Sequence, residues 1–211
     1  MNILVDNYKV NIRTGGYNIN KNKKPTLLLI HGAGMDGSVW QMQTRYLSNK
    51  GINALAVDLP GHGSSEGPSL KSISEMSNWV IKLLDLLSID SAVMAGHSMG
   101  SLIAIETAKN YNLPHISAYA LTVEPNTILS KLIEKGKIDN INDETLMRQN
   151  EIIVIELEKC KYLNYELSSF ALKNYESKNN SAYWQRKKYI GLGPSAHSFN
   201  GKKRIWNVSN N

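Results

Sequence analysis

Serine, histidine and glycine recur in this chain at spacings that suit acyl transfer. In Ala95-Gly96-His97-Ser98-Met99-Gly100 a serine has a glycine two residues away on each side. A serine serves as a nucleophile when a strained turn holds its hydroxyl clear of the backbone, and small neighbours let the chain pass close to itself there. If a helix follows, the Met99 N–H sits at its positive end and can face a developing oxyanion. A second stretch, Leu29-Ile30-His31-Gly32-Ala33-Gly34, follows an apolar run directly and can bring the Ala33 N–H to the same oxygen. Asp58-Leu59-Pro60-Gly61-His62-Gly63-Ser64-Ser65 reads as a tight turn. His31, His62 and His97 read as packing residues beside these backbone features rather than as bases.

Such groups need elements to position them. Ile3–Asp6 and Tyr8–Arg13 alternate like an antiparallel pair, before a loop rich in Gly, Asn and Lys. Thr26–Ile30 is an apolar run that predicts a strand covered on both faces, Ile52–Leu59 a second buried strand, and Ser91–Gly96 a third, short apolar strand. Between them the spacing predicts helices over Ser38–Lys50, with Ser38 as N-cap and Gly51 as stop, and over Ser72–Ser88. A third follows the serine over Ser98–Tyr111, with Leu102, Ile105 and Ala108 on one face. Alternating strands and helices give the fold class: α/β, a mostly parallel sheet with helices on both faces. After residue 112 the pattern changes to an incomplete α+β segment. His115–Glu124 predicts a strand, Asn126–Lys135 and Asp143–Lys159 helices, and Tyr162–Phe170 an extended stretch. The chain is therefore read as two parts, 1–112 and 113–211.

The order H-G-A-G, D-L-P-G-H-G-S-S, G-H-S-M-G over about Asp6–Ala108 resembles the α/β-hydrolase family. The resemblance implies Ser98 as nucleophile of an esterase or related acyl hydrolase, with Ala33 and Met99 as oxyanion donors. It also implies an aspartate and then a histidine later in the chain. Only His115 and His197 follow Ser98. His197, preceded by Asp139 and Asp143, is the candidate base by chain order, although its surroundings do not match the family's histidine loop. An incomplete triad and weak or absent activity are the expectation.

Three later blocks resemble a different family. They are His115-Ile116-Ser117-Ala118-Tyr119-Ala120-Leu121-Thr122-Val123-Glu124-Pro125-Asn126-Thr127, Tyr165–Ala171, and Tyr175–Phe199 with its Gly191-Leu192-Gly193-Pro194. In this order they are similar to the later part of the radical S-adenosylmethionine heme chaperones, relatives of oxygen-independent coproporphyrinogen III oxidase, over about His115–Asn211. The C-x-x-x-C-x-x-C loop of that family is missing, and Cys160 is the only cysteine. No iron–sulfur cluster is therefore expected, because three thiolates are needed to hold one. The chain reads as a join near residues 109–115. The competing function is a heme- or tetrapyrrole-binding fragment, with Tyr183, Trp184 and Phe199 stacking and Arg186, Lys187 and Lys188 pairing with carboxylates. No cofactor is expected except heme in that case. If the join folds as one hydrolase, His115–Val123 should serve as the next parallel strand beside Ser91–Gly96, with the segment from Tyr162 packing irregularly.

Composition narrows the partners. A hydrophobic fraction of 42% excludes wholesale disorder. No stretch reaches the roughly 18 apolar residues of a membrane span. Met1–Asp6 lacks the features of a signal peptide, and the expectation is a cytoplasmic protein. Asn207–Asn211 lack a capping element, as if the text continued. From Ser177 onward there are basic residues and no acid. That tail reads as a solvated face, since no nucleic-acid motif accompanies it. A small ester-like substrate is the expected partner.

Overall fold

Asp6 and Asn7 take φ values of 51° and 67°, the backbone of a two-residue hairpin turn that Asp and Asn tolerate well. They join β1 (Asn2–Val5) to β2 (Tyr8–Arg13), with Val5 opposite Tyr8. The computed structural model describes residues 1–20, 25–140 and 142–209. The 21–24 part of the lysine-bearing loop lies outside the described residues. The chain divides into two compact units, Met1–Leu113 and Pro114–Asn211.

In the first unit, β2 pairs antiparallel with β4 (Ala54–Val57), and β4 pairs parallel with β3 (Thr26–Ile30). β3 in turn pairs parallel with β5 (Ala92–Gly96), so the order is β1-β2-β4-β3-β5 with β5 last. The pleat sends Leu28, Ile30, Leu55 and Val57 to one face, where they join a buried cluster with Trp79, Val80, Leu83 and Ile103. Those partners come from α2 (Ile73–Leu86) and α3 (Met99–Asn110), which pack side by side. Ser72 starts α2 by accepting from the Glu75 N–H at 3.1 Å. Leu29, Ala54 and Ala56 face the other way, and α1 (Gln41–Asn49) packs on β4. The α/β class read from the sequence holds: parallel strands carry helices in alternation.

Two local expectations are corrected. The turn before α1 is capped by Asp36, whose carboxylate accepts from Ser38 N–H at 2.6 Å, so Ser38 lies inside a short 3-10 helix over Gly37–Trp40. The packed face of α3 is Gly100, Ile103, Thr107 and Ala108, while Leu102 is 55% exposed. Thr107 wins that place because its hydroxyl meets Ser77 of α2 at 2.9 Å.

The second unit has its own core. β6 (His115–Ser117), β8 (Ser169–Ala171) and β7 (Leu163–Glu166) form an antiparallel sheet in the order β6-β8-β7. Ile116, Leu157, Tyr162, Phe170 and Ala171 are buried in this unit. Leu157 comes from α5 (Asp143–Lys159), which Asn142 caps by accepting from Thr145 N–H at 2.7 Å. α4 (Ile128–Glu134) and α6 (Lys178–Trp184) are short and are capped by Thr127 and Ser177. β9 (His197–Phe199) and β10 (Arg204–Trp206) form a hairpin.

The graft of His115–Val123 onto the hydrolase sheet is therefore wrong. Ile116 pairs antiparallel with Phe170 rather than parallel with β5. The strand stops at Ser117, and Tyr119 and Leu121 are exposed. A His-Ile-Ser strand has one apolar residue to bury, which suits the edge of an antiparallel sheet rather than a strand covered on both faces. The segment from Tyr162 is ordered into β7 and β8, not irregular. Among the described residues no helix is long and apolar enough to cross a membrane.

Candidate active site

Ser98 lies between β5 and α3 with φ 53° and ψ −121°, a backbone region that costs a non-glycine residue about 1–3 kcal/mol. Its neighbours hold it there. A Cβ at Gly96 would run into the Gly100 carbonyl, and one at Gly100 would run into the Ile30 carbonyl. The start of α3 therefore rests directly on the end of β3, and only glycine fits at either point. The His97 N–H donates to Ile30 O at 3.1 Å and pins the turn to the same strand end.

The glycine-rich loop after β3 closes on this turn. A Cβ at Gly32 would lie 3.1 Å from Ser98 Cβ, so the loop and the serine are in contact. In the first turn of α3 the Gly100 and Ser101 N–H groups donate to His97 O and Ser98 O. Among the described residues, neither Met99 N–H nor Ala33 N–H meets a backbone acceptor. Ala33 and Ser98 are exposed. The arrangement can present one hydroxyl and backbone donors to a carbonyl carbon and its oxygen.

Sequence reasoning missed the residue that organises this region. Asp58 is fully buried at the end of β4. Its Oδ1 accepts from Gly37 N–H at 2.7 Å, and its Oδ2 accepts from Ser64 N–H and Asn11 Nδ2 at 2.9 Å each. Arg13 stands 3.6 Å from the same carboxylate and 3.3 Å from Asp36. The signal lay in the D-L-P-G-H-G-S-S turn, where an acid directly after a buried strand has a ring of turn amides within reach. Asp36, bonded to Ser38 and beside Arg13, is held below the usual carboxylate pKa.

His31 is fully buried. Its Nδ1 lies 2.8 Å from Gly32 O, and its Nε2 accepts from Leu59 N–H at 3.1 Å. Burial pushes its pKa below the ordinary histidine value; the Gly32 bond, Asp58 and Asp36 oppose that, and His62 adds to it. His62, its ring 5.1 Å from His31, stands 3.0 Å from Pro60 O. Both histidines have backbone partners, as packing residues do.

The remaining candidates belong to the second unit. His197 is exposed in β9, with its ring 5.9 Å from Trp206. Asp139 and Asp143 are exposed, Asp143 in the first turn of α5. His115 Nε2 lies 2.8 Å from Tyr165 OH, which also accepts from Ser177 N–H. Burial lowers the pKa of His115. Cys160 closes α5 as its C-cap. As the sole thiol it does not fit an iron–sulfur cluster. Among the described residues no group of three or more His, Cys, Asp or Glu could hold a metal ion.

Known proteins resemble the chain along both lines. The alpha/beta hydrolase family profile matches residues 27–148, more than half the chain. The heme chaperone HemW of Bacillus subtilis is 36% identical over 105 residues, 50% of this chain and 28% of that protein. The (E)-2-((N-methylformamido)methylene)succinate hydrolase of Acinetobacter baylyi is 37% identical over 94 residues, 44% of this chain and 35% of that protein. The chain thus spans about a third or less of these relatives' lengths. Among solved structures, the enol-lactonase from Burkholderia xenovorans is 28% identical at a TM-score of 0.45, covering 53% of this chain and 42% of that one.

Proposed function

Because the chain belongs to the alpha/beta hydrolase family, we propose that its first unit is a serine acyl hydrolase for small ester-like substrates, working at a low rate. Ser98 Oγ attacks the carbonyl carbon, and the N–H groups of Ala33 and Met99 hold the oxygen as its charge grows. The alcohol leaves with a proton from solvent, and water then releases the acyl group from Ser98. Between Ser98 and the end of its unit the sequence holds no histidine, and in this reading solvent takes the serine proton. Loss of the base from a serine triad costs about a millionfold in turnover, and oxyanion binding retains about 10³–10⁴ over water. The similar succinate-derivative hydrolase supports the reaction class.

The observation that carries this reading is the positive φ of Ser98 against Gly32, between the last parallel strand of the sheet and a helix N-terminus. Incubation with an activated alkyl phosphonate, followed by peptide mass spectrometry, tests it. The adduct is expected on Ser98 and should vanish in Ser98→Ala. Labelling spread over other serines at equal rates would defeat the proposal. A cytoplasmic location and the absence of a specific nucleic-acid partner belong to the same reading.

A second reading concerns the other unit. Tyr183 meets Tyr189 edge-on at 4.6 Å, Tyr189 lies 6.2 Å from Phe199, and the residues from Ser177 onward are basic without an acid. Together with the similarity to a heme chaperone, this favours binding of an anionic tetrapyrrole without iron–sulfur chemistry. Hemin titration followed in the Soret band tests it, with Tyr189→Ala and Lys187→Glu expected to weaken saturation. Equal binding by both variants would refute it.

A further inference from the structure

Two adjacent residues hold both ends of the loop that carries Ala33. At one end Leu59 N–H donates to His31 Nε2, and at the other Gly37 N–H donates to Asp58 Oδ1. Between these anchors Ala33, Gly34 and Met35 are exposed, and Gly34 has φ 66° with open space where a Cβ would stand. Beyond the contact of Gly32 with the Ser98 turn, the exposed tip of the loop is therefore positioned by its ends rather than by packing of its own.

The partners of His31 dictate its protonation state. Gly32 O can only accept, so Nδ1 carries the hydrogen. Leu59 N–H can only donate, so Nε2 carries a lone pair. The ring is the neutral Nδ1–H tautomer, and both ring nitrogens have backbone partners. We infer that His31 is a positioning residue: in its neutral form it fixes the Gly32–Ala33 segment to the turn at Leu59, and protonation releases that end of the oxyanion loop while Ser98 keeps its place. A proton on Nε2 would face the Leu59 N–H, donor against donor, inside a site with no exposure. The groups facing the ring oppose each other in sign. His62 disfavours a second positive charge, while Asp58 and Asp36 favour it, and Arg13 partly neutralises both carboxylates. The Ser98 turn hangs on separate bonds, from His97 N–H to Ile30 O and the two glycine contacts, so it is not released with the loop.

This inference adds pH regulation to the proposed acyl-hydrolase site and rests on that reading for its effect on rate. Two measurements test it. In the wild-type chain, long-range ¹H–¹⁵N NMR at pH 7 should show His31 with a protonated Nδ1 and a bare Nε2. An Nε2–H tautomer or a charged ring would overturn the inference, whatever Ser98 does. The second measurement compares Ser98 phosphonylation in wild type and His31→Gln across pH 5–8. Glutamine can still accept from Leu59 N–H but does not titrate. The ratio of wild-type to variant rate should be constant above pH 7 and fall measurably as pH drops below the ordinary histidine value of about 6.5 toward pH 5, as expected when an oxyanion donor drifts. A ratio that stays flat through pH 5 overturns the inference. Absence of Ser98 labelling at any pH instead refutes the hydrolase reading, and the tautomer measurement still decides His31.

Discussion

Asp58→Asn should destabilise the first unit by about 2–4 kcal/mol. The wild-type carboxylate is fully buried and accepts from Gly37, Ser64 and Asn11. Asparagine keeps one carbonyl oxygen, which can serve Gly37 N–H. Its amide nitrogen then points at Ser64 N–H and Asn11 Nδ2. Asn11 can turn its own amide and accept, but the Ser64 backbone N–H has no such freedom. One buried donor left without an acceptor costs about 1–3 kcal/mol, and Arg13 loses one of its two carboxylates. The sum is a large part of the roughly 5–15 kcal/mol that holds a domain together. Urea denaturation of the full chain reads it out, with Trp40 and Trp79 as reporters in a Trp184→Phe, Trp206→Phe background. The midpoint should fall by about 1–2 M at the slopes usual for small domains. A shift too small to measure would mean that Asp58 does not organise the loops around the serine.

Stability should also fall with acid below about pH 6.5, the ordinary histidine value. His31 has its pKa lowered in the fold, so the unfolded chain binds more protons as pH drops, and the loss ends once pH passes the folded value. Thermal melts of wild type and His31→Gln at pH 5 and 7.5 check this, the variant losing less between the two. In the second unit, Phe170→Ala should cost about 3–5 kcal/mol by opening a cavity under β6, β7 and β8, seen as faster hydrogen exchange at 163–171 with residues 26–57 unchanged. Anaerobic reconstitution with iron and sulfide should leave less than a stoichiometric four-iron cluster, because Cys160 is the one thiol; full cluster absorbance would contradict this.

What was legible in the sequence was local. A serine on a strained turn requires glycine where the backbone crosses itself, and Gly96 and Gly100 stand at those crossings. The strands of the first unit were legible because β3 and β4 are almost continuously apolar. The pairing of His115–Ser117 was not, because its choice of β8 over β5 depends on residues some fifty positions away. The role of Asp58 was equally hidden. A carboxylate in a turn motif looks like any surface acid until the amides of Gly37 and Ser64 are seen to converge on it. Leu102 misled because helical spacing fixes which residues share a face, not which face packs.

In the proposed reading the first unit supplies a nucleophile and an oxyanion cradle but no base. Chemical rescue tests it most directly: hydrolysis of p-nitrophenyl acetate by wild type and Ser98→Ala, with and without added imidazole. Slow turnover is expected that imidazole raises saturably in wild type, with no such saturable gain in Ser98→Ala. Turnover of about 1–10³ s⁻¹ without imidazole, abolished by His197→Ala, would show that the chain already carries its own base and would overturn the reading of Ser98 as a nucleophile without one.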